Sequence, residues 1–215
     1  MIFLSVSVRE ENITLPESIL KYINETKSAT LLESRRLAYS LLYSSLERLF
    51  NGIDAEIVRD EGGKPHARLA DGRRLFISLS HTDNISAVAI SDEREVGVDI
   101  EGEIDAERAE RIERRFLRDI PKSPLEILGN TPLPTPILRG EPLTVTELKD
   151  KDEESSNVRV LSVTDRWVIC EAAMKCEGGG FGSLSRVGAI LAESSVGVYR
   201  ISADKKEYSL ALVVR

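Results

Sequence analysis

Phe76-Ile77-Ser78-Leu79-Ser80 and Ile85-Ser86-Ala87-Val88-Ala89 flank the short polar stretch His81-Thr82-Asp83-Asn84. Apolar side chains at every second position, bounded by turn residues, predict two antiparallel strands. Upstream, Leu31, Ala38, Leu41, Leu42 and Leu49 return at helical spacing, which predicts a helix from about Ala29 to Phe50 that stops at Asn51-Gly52. Further strands are predicted at Ile2 to Val8, Ala55 to Arg59 and Glu95 to Glu101, with a turn at Gly62-Gly63-Lys64-Pro65. A similar order recurs later in the chain. A helix from about Thr164 to Cys176, broken at Gly178-Gly179-Gly180, precedes strands at Val196 to Ser202 and Glu207 to Val214. Two units of long helix and hairpin predict an α+β protein with two similar halves, 1–101 and 102–215.

The two halves differ most in what links them. Asp105 to Arg118 reads as a charged helix in which Arg108, Arg111, Arg114, Arg115 and Arg118 outnumber the acids, giving either a basic ridge or a merely solvated face. From Ile120 to Val158 six of the eight prolines accumulate, followed by the charge run Lys149 to Glu154. That composition predicts a mobile insertion at about 120–158.

Bulk properties narrow the classes of function. With 215 residues, 41% of them hydrophobic, the chain can bury one sizeable core or two small packed halves. A net charge of -7 argues against a general nucleic-acid binder, because neutralising phosphates takes an excess of Lys and Arg. Cys170 and Cys176, six apart in one predicted helix, cannot close a bridge, so a reducing compartment is expected. The apolar start is short, with no basic leader and no small-residue cleavage site, and reads as a strand. No apolar stretch approaches the roughly 18 residues of a membrane span. A cytoplasmic protein without a membrane segment is the expectation.

The residues with chemistry to offer begin at Val96-Gly97-Val98-Asp99-Ile100-Glu101, an apolar strand ending in two carboxylates two residues apart. Period two puts both on one face, and short acids on a rigid strand suit a hard cation such as Mg2+; strand ends also carry plain surface acids. Glu171 and Lys175 are i,i+4 neighbours on the later helix, an arrangement that serves equally as a surface ion pair. Ser80 and His81 end a strand where backbone amides could face an anion, or where they simply make a turn. Lys64 sits in the Gly62-Gly63-Lys64-Pro65 turn.

Taken in order, these pieces resemble the 4'-phosphopantetheinyl transferase superfamily, in its longer, pseudo-dimeric single-chain type. Gly63-Lys64-Pro65 is similar to the family's G-K-P, and Phe76 to Thr82 to its F-N-x-S-H-S, offset by one residue. Val96 to Glu101 is similar to V-G-V-D-I-E, and Trp167 to Lys175 to W-x-x-K-E-A-x-x-K. The resemblance spans roughly Arg35 to Lys175, the D-I-E segment and the Trp helix being its most specific parts. Two positions depart from it: Cys170 stands where the family has Lys, and Ile120 where an acid is expected, with Asp119 or Glu126 as replacements.

The resemblance implies a 4'-phosphopantetheinyl transferase-like fold and transfer of the 4'-phosphopantetheine of coenzyme A to a serine of an acyl or peptidyl carrier protein, releasing 3',5'-ADP. It implies that Asp99, Glu101 and Glu171 surround Mg2+, and that Lys64, Ser80 and His81 hold the nucleotide's phosphates. Lys175 would steady the pyrophosphate and leaving group, Arg36 would be a further nucleotide contact, and Glu171 would be the base. The basic ridge would then steer an acidic carrier to a protein working as a monomer. Cys170 and Ile120 motivate the alternative, a non-catalytic homologue that binds coenzyme A or a carrier.

Overall fold

The hairpin at the centre of the sequence forms as β4 (Arg74–Thr82) and β5 (Ile85–Ser91), paired from Phe76 against Ser91 to Thr82 against Ile85 and turning at Asp83 with φ 47°. It belongs to a computed structural model that describes the chain apart from residues 53, 119, 124–132, 141–142, 149–150, 153–154 and 159, and describes the backbone alone at 151–152 and 155–158. Four further strands complete its sheet: β1 (Ile2–Ser7), β2 (Ala55–Arg59), β3 (Pro65–Leu69) and β7 (Ile137–Arg139), in the order β2-β3-β4-β5-β1-β7. Every pairing is antiparallel except β1 with β7.

A second sheet has the order β6-β12-β11-β8, built from β6 (Val96–Gly102), β8 (Leu143–Glu147), β11 (Ser195–Ala203) and β12 (Lys206–Val214). A two-stranded ribbon, β9 (Lys151–Asp152) with β10 (Ser155–Val158), stands apart. Among the described residues the helices are α1 (Glu17–Asn24), α2 (Ala29–Leu49), α3 (Ala106–Phe116), α4 (Val163–Glu177) and α5 (Val187–Ala192), with a 3-10 turn at Gly180–Arg186. The chain is therefore of mixed α+β class. No helix among the described residues is long and apolar enough to cross a membrane.

Strand alternation sorts the core into three clusters. Even-numbered Val88 and Ile90 face Leu41, Leu42 and Leu46 of α2, whereas odd-numbered Ile85, Ala87 and Ala89 face the second sheet. There they meet Val98, Ile100, Leu210 and Leu212. The opposite face of that sheet, with Val196, Val198, Ala211 and Val213, packs on Val168, Ile169, Ala172 and Ala173 of α4. The layers run helix, sheet, sheet, helix. Each fully buried Leu or Ile among them stabilises the fold by about 1.5–3 kcal/mol through area removed from water.

β6 lies at the edge of its sheet, so part of its backbone has no ladder partner. Hydroxyls of β4 supply what is missing. Ser78 Oγ accepts from the Val98 amide at 3.0 Å and Ser80 Oγ from the Ile100 amide at 3.3 Å, while Thr82 Oγ1 donates to Glu101 at 3.0 Å. Residues 78, 80 and 82 share one face of β4, so a Ser-x-Ser-x-Thr spacing joins the two sheets without a continuous ladder.

Most strands and long helices lie where periodicity puts them, to within a residue or two. The reading of 120–158 as one mobile insertion needs correction: β7 joins the first sheet and β8 the second. Leu143 and Val145 alternate with polar residues and pack against the inter-sheet core, a signal masked by the surrounding prolines. The expected division after residue 101 also crosses the topology, since β6 belongs with β11 and β12, and β7 returns to β1.

Candidate functional site

Gly97, Asp99 and Glu101 share the face of β6 turned toward α4, because Val98 and Ile100 point the other way into the inter-sheet core. A Cβ on Gly97 would overlap the Ala172 carbonyl oxygen and stand 2.5 Å from the Cys176 amide nitrogen, so the bare backbone there is what lets α4 lie against the strand. α4 starts with a capping box, Ser162 and Asp165 bonding each other's backbone amides, and ends at left-handed Gly178. Its register places Glu171 and Lys175 over the β6 carboxylates.

Asp99 is buried. Its Oδ1 accepts from Ser80 Oγ at 2.7 Å and from Lys175 Nζ at 2.6 Å, whereas its Oδ2 is buried without a partner among the described residues. Burial, and then the Asp99 charge beside it, push the Glu171 carboxyl up from 4.5 to about 7 against the opposing pull of Lys175. Asp99, Glu171, Lys175 and Ser80 thus form one electrostatic unit.

That arrangement gives the protein a pH dependence of definite sign. Folded Glu171 keeps its proton up to about pH 7, while the unfolded chain releases it near 4.5, so between those values the folded state binds more protons and stability falls as pH rises. Glu171→Gln should flatten this part of the curve of melting temperature against pH in magnesium-free buffer, and melt higher than the parent above about pH 7. Parallel curves for the two proteins would separate Glu171 from the Asp99 charge.

Glu101 is held differently. Thr82 Oγ1 donates to its Oε1 at 3.0 Å and Arg108 Nη2 to its Oε2 at 2.9 Å. Among the described residues no group of three or more His, Cys, Asp and Glu is arranged to hold a metal ion. Asp99 and Glu171 interact and the Glu101 charge also reaches Glu171, while the two Glu101 oxygens are bonded to Thr82 and Arg108. The orphaned Asp99 Oδ2 beside a carboxyl that resists ionisation still fits a hard divalent cation, which would complete the first and favour the charged form of the second.

Beside this cluster opens a cavity of about 370 Å³ whose cationic lining is Arg35, Arg59, Lys64 and Lys175, with His81. His81 has its pKa lowered, first by burial and then by Lys175 and Arg35, so it offers a neutral imidazole near neutrality. Arg35 and Arg59 lie over the Tyr22 ring, their guanidinium carbons 5.1 and 4.9 Å from its centre. Arg59 also donates to the Tyr39 hydroxyl at 3.0 Å and the Gly63 carbonyl at 2.8 Å. A concave surface with this charge and these aromatic faces suits a phosphorylated, planar ligand.

The other expected residues are distributed as follows. Lys64 lines the cavity, but its ammonium is buried and donates to Glu95 and to the Cys176 carbonyl at the end of α4. Ser80 faces Asp99 rather than the cavity. Arg36 is exposed, with Nε 3.9 Å from Glu10, and does not line the cavity; Arg35 does. Helical spacing carries the signal for that exchange, because Arg35 lies one turn before buried Ala38 and Tyr39. Arg59 and Tyr22 carry no sequence cue to the site, whereas Arg108 reads from sequence only as part of the basic ridge and Thr82 only as the end of the Phe76 to Thr82 motif. The readable cue to the role of Thr82 is its period-two spacing from Ser78 and Ser80.

Cys170 does not mark a cation lost from the ligand surface. It is fully buried in the core beneath α4, and burial, followed by Glu171 and Asp99, pushes its thiol up to about 12. Ile120 is likewise a core residue, and its carbonyl accepts from Arg166 Nη2 at 2.8 Å. Asp119 and Glu126 lie outside the described residues. No family model matches the chain, and no curated protein matches it.

Proposed function

We propose that this protein is a Mg2+-dependent transferase that moves the 4'-phosphopantetheine of coenzyme A onto a serine of an acyl or peptidyl carrier protein, working as a cytoplasmic monomer. In this reading its two sheet-and-helix units are the halves of a pseudo-dimer of 4'-phosphopantetheinyl transferase type. The observation that carries the proposal is the contact of Asp99, Lys175 and Glu171 at the rim of a cavity lined by Arg35, Arg59, Lys64 and His81. A diphosphate ester needs cations around its oxygens and a proton acceptor for the incoming alcohol, and these residues supply both.

The serine oxygen forms a bond to the phosphorus that bears pantetheine, the bond from that phosphorus to the bridging oxygen breaks, and 3',5'-ADP leaves with the electron pair. Glu171 takes the hydroxyl proton. Lys175, 34% exposed at its side chain, turns from Asp99 toward the leaving group's phosphate. Arg35, Arg59 and His81 hold the nucleotide. Asp99 and Glu171 would hold Mg2+, which supplies positive charge where the transition state gathers negative charge.

Incubating a panel of apo carrier proteins with coenzyme A, Mg2+ and this protein is expected to add the mass of one phosphopantetheine to at least one of them. No transfer to any carrier, beside tight binding of 3',5'-ADP by calorimetry, would favour the second reading: a non-catalytic homologue that binds coenzyme A or a carrier. The engagement of both Glu101 oxygens by Thr82 and Arg108 is what favours that reading.

A further inference from the structure

We infer that Arg108 is a positioning residue that withholds Glu101 from the acid cluster and releases it when an acidic partner occupies the exposed face of α3. The inference rests on the transferase reading and adds to it how the third carboxylate is controlled. Glu101 sits two residues from Asp99 on the same strand face, and whereas Asp99 is paired with Lys175 of α4, Glu101 is paired with Arg108 of α3. Its two contacts are unequal. Thr82 comes from the end of β4, its backbone fixed by pairing with Ile85 in the six-stranded sheet. Arg108 comes from the first turn of α3, its side chain is 43% exposed, and an ion pair so open to water is weak and easily exchanged for another anion.

What would exchange it follows from the rest of the helix. Positions 108, 111 and 115 fall within one narrow stripe of a 3.6-residue helix, and Arg111 and Arg115 on that stripe are exposed. Among the described residues Arg111 is paired only with Glu107 of its own helix. A partner presenting several carboxylates, as an acidic carrier does, meets Arg115 and Arg111 first and reaches Arg108 at the end of the same stripe. Once Arg108 turns to the partner, Glu101 keeps the Thr82 hydroxyl at one oxygen, and the face of β6 offers its other oxygen beside Asp99 Oδ2, with Glu171 opposite. A site for a hard cation tightens as its count of ionised ligands rises. Partner docking and ion binding then strengthen one another by the same factor, as linkage requires.

Mn2+ titrations of the purified full chain, followed by the paramagnetic signal of the free ion, test this without turnover. Arg108→Gln is expected to bind Mn2+ about fivefold tighter than the parent, the scale of a lost exposed ion pair. Glu101→Gln in the same background should remove the gain. A carrier protein whose acceptor serine is replaced by alanine should tighten Mn2+ binding to the parent by a similar factor and leave Arg108→Gln unmoved. Unchanged or weaker Mn2+ binding by Arg108→Gln, or no response of the parent to the carrier, overturns the inference. Asp99→Asn is the control for the reading beneath it: parental Mn2+ affinity in that variant would place the ion away from this cluster and remove the transferase reading as well.

Discussion

Asp99→Asn is expected to lower phosphopantetheine transfer by about three orders of magnitude while leaving the melting temperature nearly where it was. The two halves of that result come from the same geometry. An asparagine oxygen in place of Oδ1 still accepts from Ser80 and Lys175, so neither donor is orphaned. The amide nitrogen in place of Oδ2 becomes a donor at a buried atom that now has no partner. What disappears is the negative charge. Without it nothing at this point of β6 can neutralise a cation beside a diphosphate, and Lys175 has no counterion holding it ready. Glu171 would ionise more readily, because the second largest cause of its raised pKa is the charge being removed. The measurement is single-turnover transfer to a carrier alongside a thermal melt, and retained turnover in a folded variant would take Asp99 out of the chemistry.

Gly97→Ala is expected to cost the fold about 3 kcal/mol or more, the largest effect of a single methyl in the described structure. The new carbon would collide with the Ala172 carbonyl and crowd the Cys176 amide and Cβ, two of the three being backbone of α4. A side chain can rotate out of the way, but a helix held by a capping box and by its own apolar face can only be displaced as a body. Displacement carries Glu171 and Lys175 off Asp99 together. Denaturant unfolding should therefore reveal a lower midpoint, and the pH dependence assigned to Glu171 should weaken in the same variant. A midpoint within about 0.5 kcal/mol of the parent would mean that α4 does not rest on β6 at Gly97.

The sequence made much of the architecture legible, because its strands alternate and its long helices are marked by their apolar residues. β4, β5, β6, β11 and β12 all carry a period of two, α2 keeps its apolar spacing, and α4, buried on nearly all sides, reads as an apolar run between its cap and Gly178. What stayed hidden was short or compositionally masked. α1 spans two turns, β7 spans three residues, and β8 follows a proline-rich stretch that argues for irregular backbone. The partition of strands between sheets was hidden for a deeper reason. Periodicity states which face of a strand is buried and says nothing of which strand lies beside it.

The site divides along the same line. That Asp99 and Glu101 share a face follows from their spacing, and that Glu171 and Lys175 share one follows from helical geometry. Their approach to each other depends on Gly97, which reads as an unremarkable strand residue until α4 is laid on it. The exchange of Arg36 for Arg35 turns on about 100° of helix rotation. The engagement of Glu101 by Arg108, and of Lys64 by Glu95, joins residues separated by a turn or by a whole strand system, and no local pattern marks such pairs.

The dispersal of strands between the two sheets governs how the chain must come into being. β6 is synthesised early but its ladder partner, Lys206–Val214, only after the whole intervening chain. Until then the nascent Val96–Gly102 segment is a sticky ribbon, shielded on one side only by the serine hydroxyls of β4. β1, by contrast, has β5 as its partner from the start and needs Ile137–Arg139 only to extend the sheet. The first sheet can therefore ripen early, whereas the second has to await the C-terminal hairpin, a late step slowed by its long loop closure.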